Sequence, residues 1–232
     1  MKHLKDIKLL VFIIVFCSLT NCMSKSYDFM QPYAGYPLLK NKDSIRQFLN
    51  GRCVDTIKFR KGEIIADIGA GNGYIEAMLS VFHDSLTFYI QDIDTATCNQ
   101  KTVNEVVRYY EKINGGTFTN KFIVTIGTDN ETNLPNNALD KILMLWTYQY
   151  FKNPKAIITD LKFKLKKDGY MYIINPDIDY ESGKQLALKH GWNGSPIEKE
   201  ISDILGCGFE LIQISRNNYC CENPYIMVFK KK

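Results

Sequence analysis

The 232-residue sequence lacks a hydrophobic run long enough to cross a membrane as a helix. Its longest, Leu9 to Leu19, has 11 residues, against the roughly 20 that a span needs. Histidine is scarce and scattered (His3, His83, His190), and none of the seven cysteines forms a Cys-x-x-Cys pair. The usual zinc spacings are therefore absent, and no metal site is expected. Net charge is only +4, with the lysines dispersed along the chain. That excludes the concentrated basic face of a nucleic-acid binder. No Gly-Lys-Ser/Thr triplet occurs, so there is no P-loop. There is also no internal repeat or low-complexity tract. What remains is a chain 45% hydrophobic, sufficient for one ordinary core.

The N-terminus stands apart. Lys2, Lys5 and Lys8 face a single Asp6, and the apolar run follows directly. A basic segment followed by a short apolar one is the layout of a signal peptide. The run closes on Leu19-Thr20-Asn21-Cys22, which resembles a bacterial lipobox, although Asn21 stands where Gly, Ala or Ser is usual. The resemblance implies lipidation at Cys22 and a membrane-anchored lipoprotein. If the segment is not a working signal, the protein is expected in the cytoplasm. Residues 1–22 are read as this signal segment, 23–42 as a linker and 43–232 as the domain. Five cysteines remain beyond Cys22, and they read as scattered thiols.

Strand and helix signals alternate through the domain. Helical patterns occupy Lys42–Asn50, Ile75–Phe82, Thr97–Asn114, Pro154–Leu165 and Ile197–Leu205. Strand patterns occupy Glu63–Ala66, Leu86–Gln91, Phe122–Ile126, Asp140–Trp146, Tyr170–Ile174, Phe209–Ile214 and Tyr225–Phe229. Lys167-Asp168-Gly169 reads as a turn, and Asp140 as a structural acid at a strand start. The alternation predicts an α/β fold: a doubly wound, mostly parallel seven-stranded sheet with helices on both faces. About ten residues join the last two strands, too few for a helical crossover, so they form an antiparallel hairpin at one edge.

The most informative segment is Asp67-Ile68-Gly69-Ala70-Gly71-Asn72-Gly73, between the first strand and the helix that follows it. A strand, a glycine turn and a helix start make a nucleotide-cofactor site. Free N–H groups at the helix N-terminus and small glycines allow a ligand close approach. The spacing is G-x-G-x-G, not the dinucleotide G-x-G-x-x-G, and an acid lies two residues before the first glycine. Asp92 ends the second strand, 19 residues after Gly73.

These features resemble the class I S-adenosylmethionine-dependent methyltransferases. The likeness continues in Gly127-Thr128-Asp129, in Asn133-Leu134-Pro135 leading to Asp140, and in Leu165-Lys166-Lys167-Asp168-Gly169. It covers roughly residues 43–230. It implies an S-adenosylmethionine site formed by Asp67, Gly69, Ala70, Gly71 and Gly73, with Asp92 on the ribose, Ile93 on the adenine, and Thr128 and Asp129 beyond it. Asp94 competes with Asp92 for the ribose, and Asp92 is preferred because it directly ends the strand. A carboxylate there accepts two hydroxyls in bidentate fashion.

The acceptor should lie above the C-terminal ends of the strands. Trp146, Tyr148, Gln149, Tyr150, Asn175, Pro176, Asp177 and Asp179 are the residues placed there, with Trp146, Tyr148, Gln149 and Asp177 the leading pocket candidates. The fourth strand does not end in the Asn/Asp-Pro-Pro-Tyr/Phe of many amino-group methylases. A small-molecule acceptor is therefore expected, with no nucleic-acid partner and no assigned catalytic base. The alternative is a non-catalytic, membrane-anchored module that keeps the fold, because this cofactor is made in the cytosol.

Overall fold

A computed structural model describes residues 38–176, 196–216 and 224–232. The signal segment with Cys22, most of the linker, and Asp177 and Asp179 lie outside the described residues. Among those described, no helix is long and apolar enough to cross a membrane.

The elements run in the order α1 (Lys42–Gly51), β1 (Ile64–Ile68), α2 (Tyr74–Leu79), β2 (Thr87–Asp92), α3 (Gln100–Asn114) and β3 (Lys121–Ile126). There follow β4 (Leu139–Leu145), α4 (Pro154–Lys164), β5 (Leu165–Pro176), α5 (Ile197–Gly206), β6 (Phe209–Arg216) and β7 (Pro224–Lys231). The helix ends carry their signals. Asn41 caps α1, Asn99 and Thr102 form a capping box on α3, and Asn153 caps α4 with Pro154 in its first turn. Gly115 ends α3 at φ 83°, a conformation that costs glycine little.

The strands form one sheet in the order β3-β2-β1-β4-β5-β7-β6. β1 lies between β2 and β4, parallel to both. The chain therefore steps outward from β1 to β3 and then returns to β4. That reversal leaves a crevice at the C-terminal ends of β1 and its neighbours. β7 inserts between β5 and β6, antiparallel to each, which is the expected edge hairpin.

Successive strand residues feed two separate cores, as the pleat requires. Ile65, Phe88, Ile90, Leu143 and Ile174 pack with Ile45 and Phe48 of α1, Met78 of α2, and Val103 and Val106 of α3. Ala66, Ile68, Ile142, Met144 and Ile173 pack with Ile157 and Leu161 of α4 and Ile204 of α5.

One turn is placed differently from expectation. β5 begins at Leu165, before Lys167-Asp168-Gly169. Leu139 pairs with Leu165, but Lys141 already pairs with Tyr170. Lys166 to Gly169 therefore bulge out of the strand opposite Asp140. Asp140 holds the bulge, accepting from Lys166 Nζ at 2.8 Å, and also accepts the Ile64 N–H at 2.8 Å. A Cβ on Gly169 would lie 2.6 Å from Leu165 Cδ1 and 3.1 Å from the Asp140 carbonyl oxygen, so a larger residue there would have to displace the Leu165 side chain.

Candidate functional site

The glycine loop is fixed by left-handed backbone. Gly69, Gly71 and Gly73 have φ of 74°, 56° and 73°. Gly69 is further confined, because a Cβ there would lie 2.3 Å from Thr147 Cγ2. The segment after β4 thus rests directly on the loop after β1.

The amides of the glycine loop itself are committed within the protein. Gly69 and Ala70 N–H both donate to the Gln91 carbonyl, at 2.8 and 3.0 Å, and Gly73 N–H donates to Ala70 O at 3.0 Å. Gly71 N–H donates to Asp92 Oδ2 at 2.9 Å. The end of β2 absorbs these donors, so the loop is a rigid wall and not an open anion cradle.

Asp92 organises that end of the sheet. Its Oδ1 accepts from Ile93 N–H at 2.7 Å and from Asp94 N–H at 3.0 Å, while Oδ2 takes Gly71. A carboxylate offers about four acceptor directions, so one remains, on Oδ2. The bidentate contact expected of Asp92 narrows to that oxygen. Asp94 turns the other way, accepting from Ala96 N–H and Thr97 Oγ1, each at 2.9 Å. It shapes the next turn and does not line the cavity.

The cavity occupies about 630 Å³ in the crevice. Of the residues expected at the site, it is lined by Asp67, Gly69, Ala70, Asp92, Ile93, Thr128, Asp129 and Trp146. Gly71 and Gly73 lie behind the wall and act through backbone shape. Ile93 is half exposed (51%) at the rim. Asp129 is bridged to Lys152 at 2.9 Å, an exposed pair of small energetic weight. The Thr128 hydroxyl accepts from Asn130 and Glu131 N–H, each at 3.2 Å, and shapes its own turn.

Two pocket candidates are elsewhere. A 3₁₀ turn at Tyr148–Tyr150 rotates Tyr148 inward, where it is fully buried in the α4–α5 core. Gln149 is buried too, its Nε2 donating to Trp146 O at 2.8 Å. Both hold the turn and neither lines the cavity. Tyr150, from the same turn, does line it, as do Arg52, Tyr74, Gln91, Phe151 and Lys152. Arg52 caps the C-terminal end of α1, and nothing in its spacing from the glycine run marks it.

Beneath the loop lies an acid pair. Asp67 and Glu76 are both buried, at 3% and 0% exposure. Burial, and then the neighbouring Glu76, hold the Asp67 carboxyl well above the usual carboxylate range; burial also raises Glu76. With both ionised, neither has a donor to offer, and Asp67 Oδ1 and both Glu76 oxygens have no partner. One shared proton supplies the missing donor.

Because the folded chain raises both acids, their contribution to stability is full at acid pH and is lost as pH rises through the folded values. Glu76→Gln keeps a donor for Asp67 at every pH. It is expected to stabilise the free protein by about 1–2 kcal/mol at pH 8. Urea unfolding at that pH checks this; equal midpoints would mean that the pair shares no proton.

A second buried acid, Glu200 of α5, sits apart from the cavity. It accepts from Tyr225 Oη at 2.8 Å and from Asn175 Nδ2 at 3.5 Å. Burial pushes its carboxyl up to about 7.

No protein-family description matches this chain, and no curated protein sequence matches it significantly. Solved structures do. A SAM-dependent methyltransferase of Methanosarcina mazei superposes with a TM-score of 0.60 at 15% identity, over 77% of this chain and 96% of that one. Geranyl diphosphate C-methyltransferase of Streptomyces coelicolor, solved with Mg2+, geranyl diphosphate and S-adenosyl-L-homocysteine, gives 0.60 at 9% identity over 82% and 83%. A SAM-dependent methyltransferase of Aquifex aeolicus gives 0.52 at 16% identity over 82% and 97%. At these identities the likeness is one of fold: the chain is built on the fold of SAM-dependent methyltransferases.

Proposed function

We propose that the protein is an S-adenosylmethionine-dependent methyltransferase acting on a small-molecule acceptor. The observation that carries this reading is the convergence of Asp67, Gly69 and Asp92 on one cavity at the sheet's reversal point. The residues suit the cofactor's chemistry. Asp67 lines the cavity, and the negative charge that the acid pair keeps beside its one shared proton suits a cationic amino group. Gly69 leaves no room for a side chain, so the backbone itself forms the wall. Asp92 keeps one acceptor direction for a ribose hydroxyl, and Ile93 offers an apolar edge at the rim.

When bound, S-adenosylmethionine supplies a methyl group already activated by its sulfonium. The protein's part is then positioning and exclusion of water. Trp146, Tyr150 and Phe151 provide apolar and aromatic wall on the β4 side of the cavity, where an acceptor would be held against the cofactor. Among the described residues no histidine lines the cavity, which suits an acceptor that enters already nucleophilic better than one needing a strong base.

Calorimetric titration of the purified protein with S-adenosylmethionine and S-adenosylhomocysteine tests the reading. Saturable one-to-one binding is expected. A folded sample that takes up neither would sink it.

A further inference from the structure

Arg52 closes α1 and lines the cavity. Its guanidinium carbon lies 4.5 Å from the centre of the Phe48 ring and 4.6 Å from that of Trp146. Contacts of this kind hold the cationic plane by its faces and leave the N–H donors at its edge unused. Among the described residues no carboxylate pairs with it. The other cation that lines the cavity among the described residues, Lys152, is already bridged to Asp129 at 2.9 Å. Trp146 is itself held at a positive φ of 58°, a backbone state unfavourable for a bulky residue. The chain accepts that strain at the point where the indole meets the guanidinium.

The glycine loop sharpens the argument. Gly69, Ala70, Gly71 and Gly73 have their N–H groups committed within the protein. An anion entering the cavity therefore finds no donor at any of these four amides. Asp67 and Asp92 repel it. Among the described residues, Arg52 is the group in the lining with both the charge and the open donors to receive it.

We propose that Arg52 is the carboxylate receptor of this cavity, its guanidinium edge taking a carboxylate in a paired, bidentate contact. The inference rests on the methyltransferase reading and specifies one contact within it. Two bound molecules can supply that carboxylate: the amino-acid end of the cofactor, or an acidic acceptor. Arg52 is a positioning residue in either case.

The test uses three probes on the full chain, with Arg52→Gln and Arg52→Lys variants confirmed as folded by circular dichroism. S-adenosylhomocysteine carries the amino-acid end, and 5′-methylthioadenosine is the same thioether nucleoside without it. If Arg52 holds the cofactor's carboxylate, Arg52→Gln weakens S-adenosylhomocysteine on the order of 10- to 100-fold and leaves methylthioadenosine unchanged. Arg52→Lys, which keeps the charge without the fork, falls between. If the acceptor supplies the carboxylate, both nucleosides bind unchanged. Benzoate titrated onto the S-adenosylhomocysteine-loaded protein then binds the parent chain and not Arg52→Gln. Equal weakening of both nucleosides would mean that Arg52 only supports the wall, and would overturn the proposal. So would parent-like binding of all three probes. A parent chain that binds neither nucleoside fails the methyltransferase reading itself, independently of Arg52.

Discussion

Asp92→Ala is expected to destabilise the protein by about 2–4 kcal/mol and to weaken cofactor binding on the order of 100-fold. The two effects have one cause. The Asp92 carboxylate accepts the Gly71, Ile93 and Asp94 N–H groups. Removing it strands three donors, of which water reaches some because Ile93 and Asp94 lie at an exposed rim. The Gly71 bond is the tie between the glycine loop and β2, so its loss also releases the wall that the cofactor would lie against. Asp92→Asn separates these roles. Its amide oxygen can serve Ile93 and Asp94, but its NH₂ then faces the Gly71 N–H. Stability should fall by about 1–2 kcal/mol, with binding still strongly reduced. Thermal melts and calorimetric titration of both variants decide it. A stable Asp92→Ala protein with unchanged affinity would remove Asp92 from the site.

The strand–loop–helix at Asp67 to Gly73, and the acid closing β2, were legible in the sequence because each depends on local pattern. Hydrophobic alternation marks the strands, glycine spacing marks the turn, and the short Ser215–Pro224 link forces the hairpin. The choice of Asp92 over Asp94 was also local, since a residue that directly ends a strand stays in the plane of the sheet. What was not legible depends on contacts distant in the chain. Nothing local shows that Gln91, on a different strand, accepts two of the loop amides. Tyr148 and Trp146 look alike as aromatics after β4, yet the 3₁₀ turn sends one into the core and leaves the other on the cavity. Lys167 to Gly169 read as a turn, and only the pairing of Leu165 with Leu139 shows it to lie in a bulge within a strand. Arg52 reaches the site because α1 packs beside the end of β4, which no periodicity encodes.

Glu200 is an acid that nothing in the sequence marks as buried, and it yields a pH-dependent result. It lies between Lys199 and Ile201 on α5, and only 3% of it is exposed. Burial raises its carboxyl from 4.5 to about 7, with the Tyr225 and Asn175 hydrogen bonds opposing the rise. The folded state therefore binds this proton more tightly than the unfolded state does. The group's contribution to stability is full below about pH 4.5 and is lost as pH rises through about 7. A difference of 4.5 against about 7 corresponds to roughly 3 kcal/mol. Glu200→Gln should remove that dependence. Its oxygen still accepts from Tyr225 Oη, and its NH₂ can donate to Asn175 Oδ1, which is buried without a partner. At pH 8 the variant is expected to be more stable than the parent by about 2–3 kcal/mol; at pH 4.5 the two should be nearly equal. Glu200→Ala, by contrast, takes the acceptor from Tyr225 and leaves a hole, and should be destabilised by about 2–4 kcal/mol at acid pH. Urea unfolding from pH 4.5 to 8.5 reads all three. Parallel curves for the parent and Glu200→Gln would show that folding leaves the Glu200 carboxyl at its ordinary value. A convergence confined to acid pH would show that α5 docks on β5 and β7 through a neutral carboxyl, which ionises near neutrality beside the C-terminal end of β5.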